Sequence, residues 1–157
     1  MVTHDQSART AWHADQANAA LRDRLQAVDA THIARIKAII AKHGWPGWKL
    51  VGRDGAQAAW LLVQHADSDH ALQVACLALL ETAVDARDAS ASDYAYLYDR
   101  VAVAEKRAQR YGTQFNGSTP FPIEAPVTVD ARRAEVGLGT LASYAAEIRA
   151  LDIPSRR

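Results

Sequence analysis

Glycine and proline are nearly absent from long stretches of this chain and crowd into two short ones, and that distribution constrains the fold more than any other feature. Four of the eight glycines and one of the five prolines lie at 43–55, and two more glycines and three prolines lie at 109–126. Elsewhere the chain is rich in alanine, the strongest helix former, at about a fifth of all residues. Stretches free of breakers, with apolar residues at three- and four-residue steps, fold as amphipathic helices. The expected class is therefore mainly α: a compact single-domain helical bundle of five to seven helices with one irregular Pro/Gly-rich flap at about 109–127. Within the flap, Asn116-Gly117 suits the turn of a short hairpin.

The periodicity predicts an amphipathic surface helix over about residues 5–28, on which Trp12, Leu21, Leu25 and Val28 recur among charges. Residues 1–28 are accordingly expected to pack, as an N-terminal helix, on a single helical domain at 29–157. Asp29-Ala30-Thr31 reads as the cap of a second helix carrying Ile33, Ile36, Ile39 and Ile40 and stopped by His43-Gly44. A third helix is expected at about 54–66, with Leu50-Val51 extended before it. Asp67-Ser68-Asp69 opens a fourth, whose stripe of Leu72, Ala75, Cys76, Leu79, Leu80 and Ala83 is the most apolar in the chain and is expected to centre the core. Ser90 opens a fifth helix, and shorter ones are expected after Val129-Asp130 and from Thr140.

Several function classes fall away on these residues. Eighteen basic residues balance eighteen acidic ones, so the chain lacks the footprint of a nucleic-acid or acidic-membrane binder, and neither partner is expected. No 18-residue apolar window and no basic-then-apolar leader is present, which makes the cytoplasm the expected location. The lone Cys76 sits in an apolar run and reads as a small buried hydrophobe. A phosphate-binding glycine loop, a dinucleotide fingerprint and a Gly-x-Ser-x-Gly elbow are all missing, so a covalent serine or cysteine mechanism is not expected.

At His43-Gly44-Trp45-Pro46, Gln64-His65-Ala66-Asp67, Asp99-Arg100-Val101, Gln109-x-Tyr111-Gly112-Thr113-Gln114, Arg132-Arg133 and Gly137-Leu138, the chain resembles a family of small, mostly bacterial proteins known as a domain of unknown function. The likeness runs from about Asp29 to Leu141, leaving the first helix outside, and departs from the family at His70, where proline is expected. It implies which residues matter and carries no activity.

The candidate residues are polar groups at helix ends. His65 stands two residues before Asp67, a carboxylate able to fix the tautomer of one ring nitrogen and free the other for proton transfer. His43, on a turn shaped by Gly44 and Pro46, is a second base or anion contact, and Tyr111 is a candidate acid. Arg100 offers a planar fork to an anion, with Asp99 holding it and Arg132 as a weaker second. Gln109, Thr113 and Gln114 supply amides and a hydroxyl for a polar ligand. His43, His65 and one aspartate are the conceivable ligands of a single metal, a reading disfavoured against proton transfer; no metal and no other cofactor is expected. The expected function is a small enzyme performing hydrolysis or elimination by His/Asp/Tyr acid–base chemistry on a polar, anionic small molecule or peptide. The alternative is a non-catalytic module that binds a ligand or protein through Trp45, Trp48 and the flap.

Overall fold

The computed structural model describes residues 2–151. Among them seven helices and one two-stranded hairpin form a mainly α fold, as expected. Contacts divide the chain into two compact units, Met1–Ala89 and Ser90–Arg157. The expected boundary at residues 28 and 29 falls inside a helix.

The first unit holds α1 (Val2–Ala14), α2 (Ala19–His43), α3 (Trp48–Gln64) and α4 (His70–Asp85). The single helix expected over 5–28 is thus two helices. The break comes at 15–18, where the Asn18 side chain accepts from the amides of Ala20 and Leu21 and starts α2 afresh. Asp29-Ala30-Thr31, read as a cap, lies within α2, and the Thr31 hydroxyl turns back to the Ala27 carbonyl. α2 stops at Gly44, whose φ of 71° suits glycine.

Leu50 and Val51, expected to be extended, lie in a first helical turn of α3 that is set off by Gly52 (φ 72, ψ 175). That turn is capped from a distance: Asp88 accepts from the Trp48 amide through its carbonyl (2.9 Å) and from the Lys49 amide through its carboxylate (2.7 Å). Gly47 admits this approach, since a Cβ there would stand 2.3 Å from the Asp88 carboxylate.

α3, and not α4, is the helix packed against the other three of its unit. Its buried face of Ala56, Ala59, Leu62 and Val63 is small enough to let neighbouring helices close in. α4 contributes Leu72, Cys76 and Leu80 to the core, and burial pushes the Cys76 thiol up to about 12, which keeps it protonated and inert.

The second unit holds α5 (Ala91–Ala104), the hairpin of β1 (Phe115–Asn116) and β2 (Thr119–Pro120), a 3-10 turn (Pro126–Thr128), α6 (Val129–Glu135) and α7 (Leu141–Leu151). Phe115 pairs with Pro120 and Asn116 with Thr119, so the hairpin forms as expected but turns at Gly117-Ser118, one residue beyond the expected Asn116-Gly117. Ala95, Leu97, Val101, Ala102 and Tyr111 are buried, and edge-on contacts join Tyr98 to Tyr111 and Tyr144 to both Tyr96 and Phe115.

Ser90 caps α5 by accepting from the Asp93 amide, and burial pushes the Asp93 carboxyl up to about 6. The native state therefore holds that proton more tightly than the unfolded chain, whose carboxyl titrates near ~3.9. The contribution to stability is complete below the unfolded value and is lost as pH rises through the folded one. Asp93→Asn, neutral at every pH, should raise the thermal midpoint relative to the wild-type chain at pH ~7.5 and leave it unchanged near ~3.5. An equal difference at both pH values would contradict this.

Candidate functional site

Polar groups gather at one place in the first unit, and the carboxylate at its centre comes from α1. Asp5 is only 1% exposed. One oxygen, Oδ2, lies 2.8 Å from Nδ1 of His65, the residue that ends α3. The other, Oδ1, accepts from Nε of Arg9 at 3.2 Å and stands 4.0 Å from Nδ1 of His32. Arg9, one turn along α1, reaches Asp29 of α2 at 2.6 Å and the His65 carbonyl at 3.4 Å. The guanidinium thereby answers two carboxylates and the carbonyl end of α3, where a cation is favoured by the helix dipole.

Three helices thus meet on one buried acid flanked by two imidazoles. Burial pushes the His32 imidazole below its ordinary value, so it is neutral near pH 7. Burial likewise raises the Asp29 carboxyl, against the pull of Arg9. His32 Nδ1 is buried without a hydrogen-bond partner among the described residues, and the ring forms part of the wall of a pocket of about 320 Å³ shared with His4, Arg24, Ala27, Val28 and Thr31. The Asp5–His65 contact has the form of a carboxylate-oriented histidine. A carboxylate accepting from Nδ1–H sets the tautomer and makes Nε2 the proton-exchanging atom.

The partner expected for His65 was Asp67. The carboxylate seen at its Nδ1 is that of Asp5, and Asp67 accepts from the Gln73 amide at 3.3 Å. His43 ends α2, eleven residues beyond His32, which is about 16 Å further along the helix axis. It lines a separate pocket of about 210 Å³ with Arg35 and Lys42. Among the described residues no three His, Cys, Asp or Glu side chains are placed to hold a metal ion.

Asp5, Arg9, Asp29 and His32 were missed. The signal available was register: Asp29 and His32 occupy the core-facing stripe of α2 between Leu25 and Ile36, where polar residues need partners.

In the second unit the expected ligand-binding residues hold the chain to itself. Asp99, wholly buried, accepts from the amides of Arg110 (2.7 Å), Tyr111 (3.0 Å) and Thr113 (2.9 Å) and from the Thr113 hydroxyl (3.0 Å). Its partners are loop donors, so it does not clamp Arg100 as expected. Burial raises its carboxyl against the opposing pull of those donors. Gln109, also wholly buried, donates to the carbonyls of Gln114 and Phe121 and accepts from the Gln114 amide. The Gln114 amide group donates to the Thr113 hydroxyl and the Tyr96 carbonyl.

Arg132 donates from all three of its nitrogens, to the carbonyls of Arg110, Glu124 and Ala125 and to the Thr128 hydroxyl. Its neighbour Arg133, 1% exposed, takes the carbonyls of Tyr111 and Gly139. Tyr111 is buried, which raises its phenol above the ordinary value. Gly112 is required by its φ of +68° and by Leu141 and Ile123, which a Cβ would strike. Asp99 and the two arginines satisfy backbone groups of residues 110–113, 124–125 and 139 that the hairpin and the Gln109–Ile123 bridge leave unpaired.

The sequence matches a family of unknown function (DUF6624) over residues 1–152. The chain belongs to that family. The match takes in α1, which the resemblance drawn from the motifs left outside, and so includes Asp5 and Arg9 beside His65. Neither the curated proteins nor the solved structures contain a match. Among the described residues of this DUF6624 protein, no helix is long and apolar enough to cross a membrane.

Proposed function

We propose that this chain is a small acid–base enzyme, a hydrolase or lyase acting on a polar, anionic small molecule, with its proton-handling centre at Asp5, His65 and His32. The observation that carries the reading is the 2.8 Å contact between a carboxylate buried to 1% exposure and Nδ1 of a helix-terminal histidine. Asp5 keeps the His65 imidazole in one tautomer and steadies the imidazolium formed when Nε2 takes a proton; it acts through His65 and has no contact with substrate. Arg9 and Asp29 fix Asp5 in turn. His43 and Tyr111 are left out of this centre, Asp67 adds its charge beside Asp29, and Gln109, Thr113, Asp99 and Arg132 are assigned to the scaffold of the second unit.

The test is a panel of phosphomonoesters, carboxylic esters and hydroxy acids presented to the full chain and to His65→Ala. Turnover of one class is expected, falling about a hundredfold or more in the variant, the usual size of a lost general base. No turnover across the panel, or a wild-type rate in His65→Ala, would overturn the reading. The competing reading, a non-catalytic module, draws support from the first turn of α3, where Leu50 (55% exposed) and Val51 (42%) stand open near Trp48. The same panel separates the two.

A further inference from the structure

We infer that the pocket bounded by His4, Arg24 and His32 binds a small organic oxyanion, the anionic head seated on Arg24 and His4 and the body against His32. The inference deepens the acid–base reading by giving the substrate a place and a chemical class.

Three features carry it. The pocket, at about 320 Å³, is at the lower end of the range of small-molecule sites, roomier than a bare phosphate requires and too small for a polymer. Its donors are cationic or imidazole: Arg24 has no hydrogen-bond or ion-pair partner among the described residues and presents an unspent planar fork, the geometry suited to carboxylate or phosphate. Thr31 adds no donor, because its hydroxyl is committed to the Ala27 carbonyl. The third feature is His32 itself, more than nine-tenths buried, whose Nδ1 is turned to Asp5 and whose other ring nitrogen, Nε2, makes no hydrogen bond among the described residues. Nε2 is the nitrogen that a ligand on the pocket side of the ring can engage.

The wall is also connected to the proposed chemistry. His32 Nδ1 is turned to Asp5 Oδ1 at 4.0 Å, while Asp5 Oδ2 meets His65. A ligand against the other side of the His32 ring therefore lies one imidazole away from the buried acid, whose oxygens are already answered by Arg9 and His65. Ala27 and Val28 supply an apolar side wall, which favours an organic anion over an inorganic one.

The test is a titration of the isotopically labelled full chain with sodium phosphate and, separately, sodium acetate, at ionic strength held constant with sodium chloride. Saturable amide and imidazole shifts are expected at His4, Arg24, Val28 and His32 with at least one of the two anions, and the stronger response tells phosphate from carboxylate as the head group. Arg24→Gln, at an exposed position with no partner among the described residues, should stay folded and bind about tenfold more weakly, the size of one lost charge-assisted contact. Non-saturable shifts, shifts centred on Arg35, Lys42 and His43 instead, or an unchanged affinity in Arg24→Gln would overturn the inference. His65→Ala should leave this titration unaltered while losing turnover, so a blank titration beside an intact panel result sinks the pocket alone, and the reverse sinks the acid–base reading alone.

Discussion

Asp5→Asn is expected to lower turnover by about a hundredfold or more while costing little in stability. The amide occupies the space of the carboxylate, and Arg9 keeps its 2.6 Å contact with Asp29, so the junction of α1, α2 and α3 retains its main ion pair. What is lost is the negative charge at His65 Nδ1. An asparagine can turn its NH₂ toward the ring and select the wrong tautomer, and it gives an imidazolium no counter-charge, which is why a neutral substitute at such a position is so damaging to proton transfer. The stability cost should be about 1.5–3 kcal/mol, the net worth of a hydrogen bond to a charged group. A purely structural Asp5 would invert the pattern, with a large fall in the unfolding midpoint and no selective loss of turnover. Equal rates in the variant and the wild-type chain would contradict the role given to Asp5.

The largest effect on stability is expected at Asp99. Asp99→Ala leaves three backbone N–H groups and the Thr113 hydroxyl inside the second unit with no acceptor. At about 1–3 kcal/mol for each buried group left unsatisfied, and with some relief by water, the loss should reach about 4 kcal/mol. For a chain of this size that is roughly 10 °C or more in the thermal midpoint. Asp99→Asn should be nearly as costly, because it replaces an acceptor oxygen by a donor that faces the loop amides. Differential scanning calorimetry of both variants decides the matter, and a loss of under about 1 kcal/mol in Asp99→Ala would show that the loop does not depend on this carboxylate.

The helices themselves were legible because alanine-rich, periodic stretches bounded by glycine and proline have few other ways to bury an apolar face. The hairpin was legible from the Asn116-Gly117 pair to within one residue, its turn lying at Gly117-Ser118. The break at 15–18 was not, since Asn18 looks like any polar residue of a solvated face until its side chain is seen accepting from Ala20 and Leu21.

The site divides in the same way. His65 was readable as a candidate from its position at a helix end, but its partner Asp5 lies 60 residues away, and no local pattern links them. The flap motif reads two ways for a different reason. A loop without regular hydrogen bonding needs carboxylates, amides and guanidinium groups to satisfy its own backbone, and these are the residue types a ligand site also uses. Gln109, Thr113, Gln114 and Arg132 are spent in that way, and only the hydrogen bonds of the folded loop distinguish the two uses.

The tautomer of the His65 ring reads out the role of Asp5 without any substrate. Long-range nitrogen–proton NMR spectra of the imidazoles reveal which ring nitrogen carries the proton in the neutral form. Neutral His65 is expected to be protonated at Nδ1, toward Asp5, and Asp5→Asn to abolish this preference. Neutral His65 with its proton on Nε2, or a tautomer unchanged by Asp5→Asn, would contradict that role.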